Sequence, residues 1–428
     1  MREAFLKRTI LSVLKPKSEL APIEVLRNCD RTAIKRLLLW LDQSGLALHF
    51  LDRLQREEAL DLVSADLRQA LQQRAQQNRL RMHAMLSEFG NLNRSFRNCG
   101  VRYSAMKGFT LVPEYCPDPS LRHQTDFDFL IAPESAKDAR RALVSCGYEL
   151  QESGAGGGMT FGTPLLHIPS RYDNIYDVPR HRQVDLHTVL WHEAHCVSID
   201  APIDCLNRLE RKSLLGVSFP ALARDDTFLL QVFHAFQHLL ASWIRLSWLF
   251  ELDHFLGTHE QDAALWHSIL DRASGDVKLR RAVGLILRLT NQIFPRRLPP
   301  ILEEWCLAPL PRRAEAWVRQ FGVIWAISDL PGSKLTLFVH RDFVNHPDLW
   351  RKYLKSRIFP MHLQSSLALG LHLSLKVRVK ARFGRCAYAL GRVVFHVREM
   401  ASLAMGTIRW RRALRSVPSQ RRAAILVD

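Results

Sequence analysis

The sequence lacks a stretch that is long and apolar enough to cross a bilayer as a helix. Its apolar run over residues 367–375 is short and is followed at once by Lys376, Arg378 and Lys380. A membrane-spanning helix needs about 20 mostly apolar residues in a row. The first 20 residues are basic, but charge interrupts their apolar positions and no small-residue cleavage site follows. We therefore expect neither a transmembrane segment nor a signal peptide.

The chain also lacks the cysteine and glycine spacings that mark several common kinds of site. Its eight cysteines include no C-x-x-C pair, and such scattered cysteines are typical of reduced thiols in a cytoplasmic protein. The glycines of residues 154–158 have the spacing of neither the P-loop nor the dinucleotide-binding motif. These absences predict a cytoplasmic protein without a disulfide framework, and they predict no glycine-rich phosphate cradle at this stretch.

Acidic residues are scarce at the C-terminal end. Residues 351–428 contain seventeen Lys and Arg but only Glu399 and Asp428 as acids, whereas the rest of the chain is nearly balanced. Such a segment attracts an anionic membrane surface, a nucleic acid or an acidic partner. An Arg-rich amphipathic helix with interleaved Phe and Trp also has the composition of a helix that lies in a membrane interface. A solvated basic face on ordinary helices is an equally compatible interpretation.

Length and composition indicate a globular chain of two or three domains. With 428 residues, 47% of them apolar, the chain is too hydrophobic to be mainly disordered and long enough for sizeable cores. We expect an α+β fold in which a small mixed β-sheet is joined to a larger, mainly helical remainder. The predicted division is a helical lead-in over 1–60, a sheet-containing core over 61–195, a helical domain over 196–345 and a basic amphipathic helical tail over 346–428.

The most informative stretch is residues 125–131, where two aspartates alternate with large apolar residues. Because successive side chains of a strand point to opposite faces, Asp126 and Asp128 are expected on one face. Two carboxylates this close repel each other and lose hydration unless a cation lies between them. Mg²⁺ is held in proteins by one or two carboxylates together with the phosphates of a substrate. The pattern therefore predicts a site for Mg²⁺ or Mn²⁺.

A turn suited to phosphate precedes this strand. Lys107 and Gly108 follow a predicted strand over 101–106, and a glycine lets backbone N–H groups approach a phosphate closely. Lys107 is a candidate phosphate ligand as a compact cation. Arg122 is a second candidate, either as a fork on phosphate or as a brace for the aspartates. A purely structural salt bridge remains the alternative for Arg122.

A third carboxylate is predicted from the alternating stretch over residues 182–192. Asp185 and His187 share one face of this expected strand. Asp185 is a candidate for binding a second metal ion or for taking a proton from the acceptor. His187 is a candidate for orienting the acceptor, although a structural histidine on a half-buried strand is also compatible.

Further candidates lie in a predicted buried helical segment over 227–255 with a break near Ser242. His234 and His238 have the i, i+4 spacing of a zinc pair, but the glutamate of the H-E-x-x-H motif is missing. A substrate-facing or core position is therefore preferred to a metal site for both histidines. Arg245 is predicted to face the same cleft from the helical side.

Several of these residues together resemble a known family. The resemblance rests on the run of Met106, Lys107 and Gly108, on Tyr115, Pro117 and Arg122, on the strand of residues 126–131, and on Val184, Asp185, Leu186 and His187. This set is similar to the uncharacterised nucleotidyltransferases, a branch of the polymerase-beta-type nucleotidyltransferase superfamily. Lys107 and Gly108 stand where most relatives have two small residues. The motifs cover roughly residues 100–190.

The resemblance implies metal-dependent transfer of a nucleoside monophosphate from an NTP to a hydroxyl- or phosphate-bearing acceptor. In such families this activity is often associated with polysaccharide or peptide-product biosynthesis. Two alternatives stay open from the residues. A phosphotransferase would use the same metal site but release a nucleoside diphosphate, and a non-catalytic scaffold would keep the sheet and bind an anionic partner.

Overall fold

The structure of the protein is a computed structural model. Helices surround a mixed sheet of seven strands in the described part of the chain, so the expected α+β fold is confirmed. The described residues are 3–17, 20–153, 158–164, 175–178, 182–191, 195–328, 333–344, 346–358 and 375–416.

The sheet combines parallel and antiparallel pairs in the order β3-β4-β5-β2-β1-β7-β6. Strand β2 pairs in parallel with β5, and β1 pairs in parallel with β7, whereas the other neighbours are antiparallel. The strands are β1 Tyr103–Met106, β2 Asp126–Ile131, β3 Glu149–Ser153, β4 Met159–Gly162, β5 Gln183–His187, β6 Glu210–Leu214 and β7 Val217–Ala221.

The last two strands lie within residues 196–345, which the sequence pattern predicts to be helical. Strands β6 and β7 form an antiparallel hairpin whose two loop residues, Leu215 and Gly216, both have positive φ, at 47° and 84°. This is the tight primed turn that matches the twist of paired strands. Since β7 lies beside β1, the sheet extends beyond residue 195. The division of the chain into four segments stays a prediction.

Helices make up most of the remaining structure. The α-helices are α1 Glu3–Leu14, α2 Arg31–Ser44, α3 Ala47–Arg56, α4 Ala65–Asn98, α5 Ala136–Ser145, α6 Arg224–Leu240, α7 Leu246–Thr258, α8 Ala263–Ala273, α9 Val277–Ile293, α10 Pro300–Leu302, α11 Arg312–Trp317, α12 Val323–Ala326, α13 Leu337–His340, α14 Pro347–Ile358 and α15 Leu375–Ser416. Short 3₁₀ helices are Ala21–Leu26, Leu60–Leu62, Gly108–Leu111, Pro119–Leu121, Pro133–Ser135, Cys205–Asn207, Lys334–Thr336 and Arg341–Phe343, and π-helical turns are Glu303–Leu307 and Val318–Gly322.

One face of the sheet is covered by α4 and α5. The Ser64 side chain caps α4 by accepting a hydrogen bond from the Leu67 N–H, and the helix then runs for 34 residues. The spacing of apolar residues predicts a helix over about residues 61–98, which agrees with these bounds. Phe89 of α4 stacks on Phe129 of β2, with ring centroids 5.9 Å apart. This side of the sheet is therefore a closed apolar core, and the aspartates of β2 project from the other face.

The opposite face of the sheet meets the helical array. Leu230 of α6 lies in a small apolar cluster with Met106 and Leu130, which are on the same face as the aspartates. Helix α6 ends at Leu240, and Ser242 has a φ of 65°, so the predicted break near Ser242 is confirmed. Helix α6 thereby forms a wall over the polar face of the sheet.

The structure also bears on the expected absence of a transmembrane segment and of a disulfide framework. No described helix combines the length and the apolar character needed to cross a membrane. The side chains of seven of the eight cysteines are described, and each of these seven is a free thiol. A cytoplasmic location stays a prediction.

Candidate active site

The register of two parallel strands assembles the candidate site. Strand β2 pairs with β5 so that Asp128 lies directly opposite Asp185, with Asp126 two residues earlier on the same face. Neighbouring strands are about 4.8 Å apart, so these carboxylates share a small area of the sheet. His187 is on this face too, as the alternation in β5 predicts. The structure therefore brings together four of the residues selected from the sequence.

Lys107 lies at the end of β1 and is aimed at this carboxylate cluster. Its Nζ is 2.7 Å from the Asp128 Oδ1 atom, and both side chains are largely buried. The residue has φ 51° and ψ −154°, a region that costs a non-glycine residue about 1–3 kcal/mol. The backbone N–H and the hydroxyl of Thr110 both donate to the Lys107 carbonyl, at 2.9 and 2.8 Å, and hold this turn.

The two aspartates of β2 have different environments. Burial favours the neutral form of Asp128, but the Lys107 charge and a hydrogen bond from His187 outweigh burial and hold its pKa below the ordinary value. Burial and then the Asp128 charge raise the pKa of Asp126 to about 6. The negative charge of Asp128 is thus balanced by Lys107 and His187, whereas the negative charge of Asp126 is balanced only in part by its surroundings.

Asp185 is held in place by two residues that sequence reasoning missed. The Thr160 hydroxyl of β4 donates to Asp185 Oδ1 at 2.7 Å, and the Gln183 side-chain amide donates to both carboxylate oxygens at 3.1 and 2.9 Å. Gln183 is two residues before Asp185 in a strand, so the alternation placed it on the same face. Thr160 comes from a neighbouring strand, and no sequence spacing pointed to it. The carboxylate is therefore fixed in orientation.

His187 adds a contact that joins the two strands. Its Nε2 atom is 3.1 Å from Asp128 Oδ1, the same oxygen that binds Lys107. His187 is more exposed than Asp128, with 28% of its side chain accessible against 8%. The ring therefore borders the open side of the site, and its predicted contact with an acceptor remains untested.

Gly108 lies so close to the Gln124 side chain that a larger residue would disturb this contact. Its φ is 46°, and a Cβ atom at this position would lie 2.7 Å from the Gln124 side-chain nitrogen. That nitrogen donates to the Asp126 carbonyl at 2.8 Å. The turn after β1 is therefore coupled through Gln124 to the first residue of β2.

We expect Gly108→Ala to be destabilising beyond the cost of its backbone conformation. Alanine at a left-handed position costs about 1–2 kcal/mol, and displacement of Gln124 adds to this cost. Gly100→Ala is a matched control because Gly100 has φ 68° but no atom within 4 Å of the added Cβ. Thermal unfolding should show a lower midpoint for Gly108→Ala than for Gly100→Ala. Equal midpoints would contradict the coupling through Gln124.

Arg122 forms a buried ion pair with a residue of the helical array. Its Nε and Nη2 atoms donate to the two Glu251 oxygens at 2.6 and 3.3 Å, and the Glu251 side chain is 3% exposed. Glu251 belongs to α7, so this pair joins the segment before β2 to the helices. Arg122 therefore forms the structural salt bridge that was one of its possible roles. Its contact with nucleotide stays a prediction.

Arg81 of α4 is a further residue that was not found from the sequence. Its guanidinium donates to the Gln124 carbonyl at 2.9 and 2.8 Å and to the Asp177 carbonyl at 2.6 Å. It is 6% exposed, and burial followed by the Arg245 charge lowers its pKa to about 10. Arg81 therefore positions the loop that leads into the Asp126 strand.

The helical wall opposite the site carries both predicted histidines. His234 and His238 follow Leu230 at intervals of one helical turn, so they lie on the face of α6 that meets the sheet. Their rings are 4.3 and 4.5 Å from that of Trp248, measured between centroids. Burial, followed by the positive charge of Lys107, lowers the pKa of His238 to about 4 and that of His234 further below its ordinary value. The wall is therefore aromatic and uncharged at neutral pH.

Arg245 lies between this wall and the loop before β2. Its Nη2 atom is 3.2 Å from His123 Nδ1, while its buried Nε atom has no hydrogen-bond partner among the described residues. Burial is the main cause that lowers the Arg245 pKa. Its predicted role toward a substrate stays a prediction, since the nearest contacts are within the protein.

The donor set fits a divalent cation of one particular kind. The partly compensated charge at Asp126 and the adjacent Asp128 match the one or two carboxylates that Mg²⁺ takes from a protein when phosphates supply further ligands. No three His, Cys, Asp or Glu side chains in the described ranges form a ready-made metal site. Asp126 and Asp128 therefore fit a cation that binds together with a phosphorylated substrate.

The fold is that of an α+β protein with a nucleotidyltransferase-like core. Residues 30–295 match the family described as uncharacterised nucleotidyltransferases, which is more than half of the 428 residues and includes every described strand. The protein belongs to this family. A search of curated proteins finds no match.

Proposed function

We propose that the protein transfers a nucleoside monophosphate from an NTP to a hydroxyl- or phosphate-bearing acceptor. The observation that carries this proposal is the parallel pairing that sets Asp128 opposite Asp185, with Asp126 and Lys107 beside them. Family membership supports the class of reaction. In this assignment Asp126 and Asp128 hold Mg²⁺ or Mn²⁺, which when bound stabilises charge on the reacting phosphate and on the departing pyrophosphate.

The chain's own residues have separable roles in this scheme. Lys107 keeps Asp128 ionised and offers its ammonium group to the phosphates of the NTP. The Gly108 turn lets backbone N–H groups approach the same phosphates. Asp185, oriented by Thr160 and Gln183, either contacts a second ion or accepts the proton of the acceptor hydroxyl.

The aromatic residues of the helical wall offer a binding surface for the acceptor or for the base of the nucleotide. Neutral rings that stack face to edge bind flat or ring-shaped groups by contact area and do not require opposite charge. The ring of His234 packs edge to face on Trp248 and that of His238 is tilted against it, and all three residues are only partly buried. The phosphates would then lie toward Lys107 and a ring toward α6.

A thermal-shift screen with ATP, CTP, GTP and UTP, each with and without Mg²⁺, tests the proposed site. Ligand that binds only the native state at 100 times its Kd stabilises it by about 2.7 kcal/mol. We expect at least one nucleotide to raise the unfolding midpoint only when Mg²⁺ is present. The Asp126→Asn/Asp128→Asn variant should show no such rise above its own midpoint. A rise that persists in the variant would contradict this placement of the metal.

One observation favours a non-catalytic scaffold as the second candidate. Lys107 already neutralises Asp128, which is the internal compensation that a sheet without metal requires. In a scaffold the Lys107→Met/Asp128→Leu pair would keep both the fold and partner binding, because well-packed apolar residues commonly replace a buried ion pair. In the enzyme the same double substitution would remove nucleotide binding.

A further inference from the structure

Helix α15 exposes an unusual number of large apolar side chains on its outer face. Six of them have between 56% and 66% of their surface accessible, although the helix is packed against the protein on its other side. We call this set the apolar stripe, and it consists of Leu390, Val393, Val394, Val397, Met405 and Ile408.

The spacing of these residues makes the stripe continuous. At 100° per residue they fall on one side of the helix, and at 1.5 Å per residue they extend over about 27 Å. The other side is fixed to the body of the protein. There Trp410 is 5% exposed and stacks on Phe338, with centroids 5.3 Å apart, and Glu399 accepts a hydrogen bond from the Lys334 backbone N–H. The stripe is therefore held outward by packing on the opposite face.

Exposed arginines surround the stripe. On the helical projection Arg398 and Arg409 border one side, Arg411 borders the other, and Arg412 and Arg415 continue the C-terminal end. We call these five residues the arginine rim. Glu399 is the one acid in the α15 sequence, and its contact with Lys334 turns it inward. The outer face of the described helix is therefore apolar at its centre and positive at its border.

This charge distribution decides between possible occupants of the stripe. A second copy of the chain would place arginine rims against each other, whereas helices that pair in solution usually have opposite charges beside the apolar seam. A partner helix is commonly bound in a groove between elements, but the stripe lies on the outer face of a single helix. A flat anionic surface matches both the apolar centre and the positive border.

We propose that the apolar stripe and the arginine rim bind the surface of an anionic lipid bilayer, with α15 lying in the plane of the interface. The valine, leucine, isoleucine and methionine side chains enter the boundary of the acyl chains, and the arginines contact lipid phosphates. The proposal does not depend on the catalytic function proposed above. It assigns to this helix a docking function that would hold the protein at a membrane surface.

Sedimentation with vesicles tests this proposal on the full chain. Vesicles of phosphatidylcholine with phosphatidylserine should bind the protein at least about tenfold more tightly than phosphatidylcholine alone, and added NaCl should weaken the binding. Val394→Asp/Val397→Asp should weaken it about tenfold or more, because two charges would enter the stripe. Arg409→Gln/Arg412→Gln should also weaken it about tenfold and reduce its dependence on salt.

A matched control is available elsewhere on the surface. Leu39→Asp/Leu80→Asp changes two apolar helix residues that are 58% and 63% exposed, and it should bind vesicles like the unchanged protein. Circular dichroism and the unfolding midpoint check that each variant folds. Unchanged binding by Val394→Asp/Val397→Asp, or no binding to anionic vesicles at all, would overturn the proposal. A dimer in solution that this variant converts to a monomer would also overturn it, since a second copy would then cover the stripe.

Discussion

Asp126→Asn should lower the rate of nucleotidyl transfer by at least about 10²–10³-fold and yet make the metal-free protein more stable at pH 7.5. The rate falls because a group that acts on transition-state charge is lost. Stability rises because Asp126, with a pKa of about 6 against an ordinary 3.8, destabilises the native state when it is ionised. The difference between these pKa values corresponds to up to about 3 kcal/mol, or about 1–3 °C in the unfolding midpoint of a chain this long.

The dependence on pH distinguishes this effect from a general change in packing. The folded state binds the Asp126 proton more tightly than the unfolded state, so this group costs stability fully above about pH 6 and progressively less toward pH 4. The advantage of Asp126→Asn in EDTA should therefore be largest at pH 7.5 and smaller at pH 5. Unfolding midpoints of both proteins across this range measure it. A difference that does not vary with pH would show that another cause is responsible.

Glu251→Ala should be among the most destabilising single substitutions in the chain. It leaves the Arg122 guanidinium buried without its carboxylate, and breaking a buried pair from one side costs about 3–5 kcal/mol. The unfolding midpoint should fall by about 3–6 °C. Because Arg122 precedes the Asp126 strand, nucleotide binding should weaken in the same variant.

An exposed ion pair supplies the comparison. Asp348 and Arg351 are 90% and 79% exposed, so Asp348→Ala should change stability by less than about 1 kcal/mol. Arg122→Leu/Glu251→Leu should recover much of the loss, because apolar residues of similar size often replace a buried ion pair without cost. If Glu251→Ala and Asp348→Ala had equal effects, the pair would not be joining sheet and helices as described.

Local periodicity was sufficient to predict the parts of the site that lie within one strand or one helix. Alternation placed Asp126 with Asp128 and Asp185 with His187, because side chains of a strand change face at every residue. The break near Ser242 was also predictable from the local pattern. The residues on the polar face of the sheet could therefore be predicted from the sequence without knowledge of tertiary contacts.

Contacts between distant segments were not predictable in this way. Glu251 is 129 residues from Arg122, and Thr160 is 25 residues from Asp185. Spacing along the chain carries no information about such pairs, since they depend on which elements pack together. The hairpin of β6 and β7 was missed for a different reason. Strand β6 begins with four consecutive polar residues, Glu210 to Ser213, and so shows no apolar alternation. Strand β7 contains Pro220, and a proline argues against a strand.

Transfer of label from the α-phosphate of an NTP tests the central claim most directly. The protein is incubated with Mg²⁺, with each NTP labelled at the α- or the γ-phosphate, and with a cell extract as the source of acceptor. The proposed function predicts a product that carries the α-label, with release of an equal amount of pyrophosphate, and no product with Asp126→Asn. Transfer of the γ-label with release of a nucleoside diphosphate would contradict it and identify a phosphotransferase.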